Sequence, residues 1–160
     1  MPDTAPHLGT PVGSEAERTL VLERLLPAPP PDVFAAFTDP ETLLEWWGPE
    51  GATVPESEFD IRPGGRWRTV LQTPDGAANT VSGVYRTIAP PGHLAFTWAW
   101  HGPDGGRGHE TEVDITFEAA GRGTLMRLVQ KLFDSPEATA LHNAGWASSL
   151  NDLERLLAVR

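Results

Sequence analysis

The sequence predicts an α+β domain: a bent antiparallel sheet of about seven strands whose one apolar face is covered by a long C-terminal helix. Three observations carry that reading. Residues 52–133 alternate with period two between five turn signals; residues 135 onward keep a helical period to the chain end; and two short helical stretches lie between the first strand and the rest.

The first strand is read in TLVLERLLPA, residues 19–28, ahead of a run of prolines at 29–31 that stops pairing and presets a helix start. Asp32 to Phe37 then forms one short helix. Asp39-Pro40-Glu41 opens a second, with Asp39 as cap and proline in the first turn, and this helix carries Leu43, Leu44, Trp46 and Trp47 before Gly48-Pro49 ends it. Turn chemistry at Pro63-Gly64-Gly65, Pro74-Asp75-Gly76, Pro90-Pro91-Gly92, Pro103-Asp104-Gly105-Gly106 and Gly121-Arg122-Gly123 divides the following stretch into six strands. Val113, Ile115 and Phe117 share one face of one strand; Leu94, Phe96, Trp98 and Trp100 share a face of another; Met126, Leu128, Gln130 and Leu132 form a third set.

Ser135-Pro136-Glu137 begins a helix of about 24 residues. Its inner stripe is divided: Ala138, His142, Gly145 and Ser149 are small or polar, whereas Leu150, Leu153 and Leu157 follow in the second half. A helix made only to cover a core would carry leucine throughout, so the first half has room to line something.

The 160 residues fit one domain, expected at 18–160 behind a disordered leader at 1–17 that is rich in Pro, Gly, Thr and Ala. Cysteine is absent, which removes disulfides, thiolate metal sites and a cysteine nucleophile. A formal net charge of −10 opposes nucleic acid and anionic lipid, and Arg62, Arg66 and Arg68 read as a solvated hairpin edge. Neither a signal segment nor a membrane span is legible, and a cytoplasmic protein is expected.

Four stretches, LERLLPAPPPDVFAAFTDPETLLEWWGPEG, FDIRPGGRWR, GVYRTIAPPGHLAFTWAW and HNAGWASSLNDLERLL, resemble in order and spacing the SRPBCC (START-related, helix-grip) superfamily, in its branch of heat-shock ATPase activator homologues. The resemblance implies a ligand cavity between the sheet and the C-terminal helix, roofed by the two short helices. It also gives the adjacent tryptophans a division of labour. Neighbours on a helix point about 100° apart, so one of Trp46 and Trp47 anchors while the other lines the cavity.

Six of the thirteen aromatic residues are tryptophan. Trp47, Phe59, Trp67, Tyr85, Phe96, Trp98, Trp100, Met126 and Trp146 are the candidate apolar walls, and Arg68, Tyr85 and His142 the candidate polar groups. The function expected is binding of a small hydrophobic or aromatic molecule, as carrier, sensor or sequestering protein. Alternatives are a polyketide cyclase or aromatase-like enzyme, with His142 or Tyr85 moving a proton, and a chaperone-activator or stress-response interaction domain. No catalytic constellation reaches motif grade, so whether the chain is an enzyme stays open. His101, His109 and Glu110 would suit zinc or iron(II), but a hairpin brings its ends together regardless; no metal and no cofactor is assigned. A homodimer is compatible with the sequence, though no seam is legible.

Overall fold

The computed structural model describes residues 12–159. Strand β1 (Leu20–Leu26) leads into helix α1 (Pro30–Thr38) and the single turn α2 (Pro40–Leu43). Strands β2 (Thr53–Phe59), β3 (Arg66–Gln72), β4 (Ala78–Ala89), β5 (His93–Trp100), β6 (Thr111–Ala120) and β7 (Gly123–Lys131) follow, and helix α3 (Pro136–Ala158) closes the chain. All seven strands form one antiparallel sheet in the order β1-β7-β6-β5-β4-β3-β2. Each hairpin joins neighbours, and β1 crosses to the far edge beside β7. The fold is the α+β arrangement expected from the alternation and the turns, and it is the helix-grip fold that the family resemblance implies.

Alternation decides which side chains enter the core. Leu94, Phe96 and Trp98 of β5, Val113, Ile115 and Phe117 of β6, and Met126, Leu128 and Gln130 of β7 are all buried. The second half of α3 lays Leu150, Leu153 and Leu157 on this face, and α1 contributes Val33, Phe34, Ala36 and Phe37 beside Phe117. Ser135 caps α3 by accepting the Ala138 backbone N–H at 3.1 Å.

Gly83 is required by the sheet itself. A Cβ on Gly83 would lie 1.8 Å from the Thr97 carbonyl oxygen and 2.6 Å from Nε1 of Trp67. The Trp67 indole crosses this position to donate to that same carbonyl at 3.2 Å, beside the irregular register between Tyr85 and Thr87. The Thr97 hydroxyl accepts the neighbouring Val84 N–H at 2.8 Å.

Three expectations need correction. Leu132 does not extend the inner face of β7: the strand ends at Lys131, Leu132 has φ +73°, and the reversal leaves it exposed while Phe133 is buried instead. Helix α2 ends at Leu43, so Trp46 and Trp47 stand in the turn beyond it, held by bonds from both backbone N–H groups to the Leu43 carbonyl. Asp39 occupies the cap position, but its carboxylate accepts the Thr42 hydroxyl at 2.8 Å and makes no side-chain bond to backbone. Most of the expected leader lies outside the described residues. Its last part is built in: Ala16–Arg18 form a 3-10 turn, and the Val12 N–H donates to the Asp134 carbonyl at 3.0 Å.

Candidate functional site

The first half of α3 does not close on the sheet. Between it, the inner ends of β3, β4 and β5, and the loop after α2 lies a pocket of about 200 Å³. Its walls are Trp47, Gly48, Pro49, Leu71, Thr73, Asn79, Trp98, Trp100, Leu141, His142, Gly145, Trp146 and Ser149. None of these side chains is Asp, Glu, Lys or Arg.

Local sequence accounts for the opening. Gly145 has no side chain, and a Cβ built there meets nothing within 4 Å. Ser149 keeps its hydroxyl on the helix, donating to the Gly145 carbonyl at 3.1 Å. Across the gap, Leu71 and Thr73 continue the inward alternation of Trp67 and Thr69, and Asn79 that of Val81 and Gly83. The loop at 48–51 is clipped to α3 through Glu50, whose N–H donates to Ser148 Oγ at 2.8 Å and whose carboxylate pairs with Arg155 at 2.5 Å.

The indoles are set by their N–H groups. Trp46 donates to the Ala36 carbonyl at 3.0 Å and meets Phe37 edge-on at 4.7 Å, fastening the turn to α1. Trp47 donates to Thr69 Oγ1 at 3.0 Å and faces Trp67, Trp98 and Trp146, with centroids 5.7–5.8 Å away. Trp46 is the anchor and Trp47 the wall. Trp146 donates to Oε1 of the fully buried Gln130 at 2.8 Å, and Gln130 Nε2 donates to Thr111 Oγ1 at 2.8 Å.

His142 is held at both nitrogens. Trp100 Nε1 donates to its Nε2 at 2.8 Å, and since an indole only donates, the ring proton sits on Nδ1 and goes to the Ala138 carbonyl at 2.7 Å. Burial pushes its pKa below the ordinary value, against weaker opposing contributions from the Ala138 hydrogen bond and the Asp134 charge. The imidazole is therefore a neutral, occupied wall group.

The expected binding residues divide into four groups. Trp47, Trp98, Trp100, His142 and Trp146 line the pocket. Phe59, Trp67, Tyr85 and Phe96 enclose, with Phe37, Leu43, Trp47 and Leu94, a second gap of only about 10 Å³, at the lower limit for one water. There the rings fill the space themselves, and burial raises the Tyr85 phenol's pKa so that it keeps its proton. Met126 is fully buried in the core and borders neither space. Arg68 lies on the opposite face of the sheet, because strand alternation sends Trp67 and Thr69 inward, and it pairs with Glu56 at 3.4 Å.

His101 and His109 do not meet as metal ligands. Ser82 Oγ lies 2.8 Å from His101 Nε2 and accepts Arg107 Nε–H at 2.9 Å, while His109 Nε2 lies against the Leu132 carbonyl. Among the described residues no three His, Asp or Glu side chains gather as a metal site, and no helix is long and apolar enough to cross a membrane. Leu71, Thr73 and Asn79 were not in the expected set; counting inward by twos from Trp67 would have reached the first two.

Known proteins share both the sequence pattern and this architecture. Residues 27–158 match the family described as "Activator of Hsp90 ATPase homolog 1-like protein". The crystal structure of an AHSA1 protein from Silicibacter pomeroyi is 36% identical, with 88% of this chain and 98% of that one covered and a TM-score of 0.81. A Chromobacterium violaceum protein is 29% identical over 88% of this chain and 96% of its own, with a TM-score of 0.78. CalU16 from Micromonospora echinospora is 26% identical over 87% and 75%, with a TM-score of 0.66. No curated protein matches. With the family match running from the end of β1 to the end of α3, the chain belongs to the Activator of Hsp90 ATPase homolog 1-like family.

Proposed function

We propose that this protein binds a small, uncharged, largely apolar molecule in the pocket between the first half of α3 and the sheet. The observation that carries the reading is a space of about 200 Å³ walled by Trp47, Trp98, Trp100 and Trp146 with no charged side chain in its lining. A comparable apolar cavity of about 150 Å³ holds benzene, so one or two fused rings fit. A charged ligand would lose its hydration with no counter-ion in exchange.

The acid–base alternative rests on His142 and Tyr85. Neither supports it, since His142 spends both nitrogens on Trp100 and Ala138 and Tyr85 faces the filled gap. For a protein-docking role, the large exposed hydrophobics among the described residues are spread over separate elements: Val12 precedes the 3-10 turn, Val21 and Leu25 are on β1, Leu132 follows β7, Leu141 is on α3 and Val159 follows α3.

Native mass spectrometry of the protein purified from its own host tests the binding role and counts subunits at once. A bound neutral molecule that is lost on Gly145→Leu, which fills the pocket from the helix side, is the expected result. Protein that carries no adduct, and whose tryptophan fluorescence is unmoved by neutral one- and two-ring aromatics, overturns it.

A further inference from the structure

The Pro103-Asp104-Gly105-Gly106 turn folds the chain back on itself, so that His101 and Arg107 pair as an isolated antiparallel bridge beyond the end of β5. That brings Arg107 onto the outer face of the sheet, the side away from α3. Its Nε donates to Ser82 Oγ at 2.9 Å, one Nη to the Ser82 carbonyl at 3.0 Å and the other to the Glu110 carboxylate at 3.0 Å. On the neighbouring strand Arg68 stands opposite Ser82 and Arg66 opposite Val84, and alternation sends both side chains to this same face. In sequence these two read with Arg62 as a solvated hairpin edge. The structure separates Arg62, which is bonded to the Asp60 carboxylate at 2.9 Å, and puts Arg107 in its place.

Arg66, Arg68 and Arg107 border a groove of about 450 Å³, with Ser82, His101 and Glu58 also in its walls. Its charges are unequal, three guanidinium groups against one carboxylate. In a chain with 12 Lys and Arg against 22 Asp and Glu, such a gathering runs against composition. Two of the cations have counter-ions, Glu56 for Arg68 at 3.4 Å and Glu110 for Arg107, but neither carboxylate lines the space. The Arg66 guanidinium has no hydrogen bond or ion pair among the described residues. All three can be reached from solvent: Arg66 is exposed, and the side chains of Arg68 and Arg107 are 37% and 38% exposed. Arg107 is also preset, since three bonds hold its planar fork and little rotamer freedom remains to be lost on binding.

We propose that this groove is a site distinct from the apolar pocket, for a small molecule bearing a phosphate group, and that Arg66, Arg68 and Arg107 bind the phosphate oxygens. A carboxylate is planar, and one arginine fork satisfies it. A tetrahedral dianion has oxygens for guanidinium groups arriving from a strand and from a loop, and its double charge matches the surplus in the walls. A nucleic acid would carry its further phosphates over the acidic remainder of the surface, so one anionic group, not a polymer, is what the groove suits. The site lies across the sheet from the pocket and does not depend on it.

Inorganic phosphate titrated into the 15N-labelled full chain at constant ionic strength tests the proposal, with sodium chloride and sodium acetate as controls and the arginine Nε–H and the backbone amides of Arg68, Ser82 and Arg107 as reporters. Phosphate is expected to shift these resonances to saturation, and acetate to bind about tenfold more weakly. Arg66→Gln removes an exposed cation that leaves no partner stranded; it is expected to weaken phosphate about fivefold or more while uptake of neutral one- and two-ring aromatics stays as it was. Glu58→Gln, which removes the one carboxylate in the walls, is expected to tighten phosphate about twofold or more, whereas Glu118→Gln, the same change in net charge on β6, is expected to have no effect. Shifts that do not saturate, that sodium chloride reproduces, or that persist unchanged in Arg66→Gln overturn the proposal, and acetate binding as tightly as phosphate overturns the assignment of the ligand. Either failure leaves the apolar pocket untouched, because neutral probes decide that reading.

Discussion

Trp100 and His142 join the sheet to the long helix by one hydrogen bond of 2.8 Å, from Nε1 of the indole to Nε2 of the imidazole. The bond requires an unprotonated Nε2, so it exists only while His142 is neutral. Burial already favours that state.

A pH dependence follows. Folding lowers the His142 pKa, so between the folded value and the unfolded value of about 6.5 the unfolded chain holds more protons. The stabilisation is complete above the unfolded value and is lost as pH falls through the folded one. The melting temperature is expected to drop from pH 7.5 to pH 5.5 more steeply in the natural chain than in His142→Gln, which does not titrate. Parallel curves for the two proteins would contradict this. The exposed carboxylates whose pKa values are lowered by hydrogen bonds, Glu50 and Asp75 among them, lose their contributions at lower pH, outside that window.

Gly145 separates stability from binding. A helix-interior glycine costs roughly 0.5–1 kcal/mol relative to alanine, and nothing obstructs a methyl group there. Gly145→Ala is therefore expected to raise the urea midpoint while weakening uptake of neutral one- and two-ring aromatics, because the added methyl occupies pocket volume. A stabilised variant that binds as before would mean the ligand does not reach this turn of α3.

Gly83→Ala is expected to behave in the opposite way. Its Cβ would meet the Thr97 carbonyl oxygen at 1.8 Å, a backbone atom that can move only by breaking the β4–β5 register. A loss of roughly 3 kcal/mol or more, or failure to fold, is the expected outcome by overpacking, read from chemical denaturation or from soluble yield. A near-neutral effect would show that the bulge can open.

Strand count, faces and the closing helix were legible in the sequence because their causes are local. Each hairpin carries its own Pro-Gly or Gly-rich signal, and alternation placed Val113, Ile115 and Phe117 on one face without any knowledge of their partners. Leu132 escaped because its left-handed backbone follows from how the chain turns toward α3, and nothing in its side chain announces that. The site was legible as a set of rings but not as a shape. Phe59, Trp67, Tyr85 and Phe96 fill their space to within about 10 Å³, whereas Trp98, Trp100 and Trp146 leave about 200 Å³, and composition cannot distinguish the two. What did point to the opening was the small-residue half of α3, Gly145 and Ser149 above all. Nor did the sequence show that Trp98 Nε1 is the one buried side-chain nitrogen or oxygen among the described residues without a hydrogen-bond partner, since a donor's isolation depends on every acceptor around it.

Gln130 is the last case, a polar residue placed inward by alternation and wholly buried. It accepts from Trp146 and donates to Thr111, whose hydroxyl donates onward to the Trp98 carbonyl at 3.2 Å, so one polar chain ties α3 to β7, β6 and β5. Gln130→Leu keeps the volume but strands the Trp146 N–H in an apolar environment, a loss of roughly 1–3 kcal/mol. Trp146→Phe removes that donor and leaves the amide oxygen without its partner, at a comparable cost. Because each single change exposes the need of the other residue, the double variant is expected to lose less than the sum of the two, with a coupling of about 1 kcal/mol or more in a denaturation cycle. Strict additivity would mean that the bond from Trp146 to Gln130 does not hold the first half of α3 in place, and the pocket wall would have to owe its position to ring packing alone.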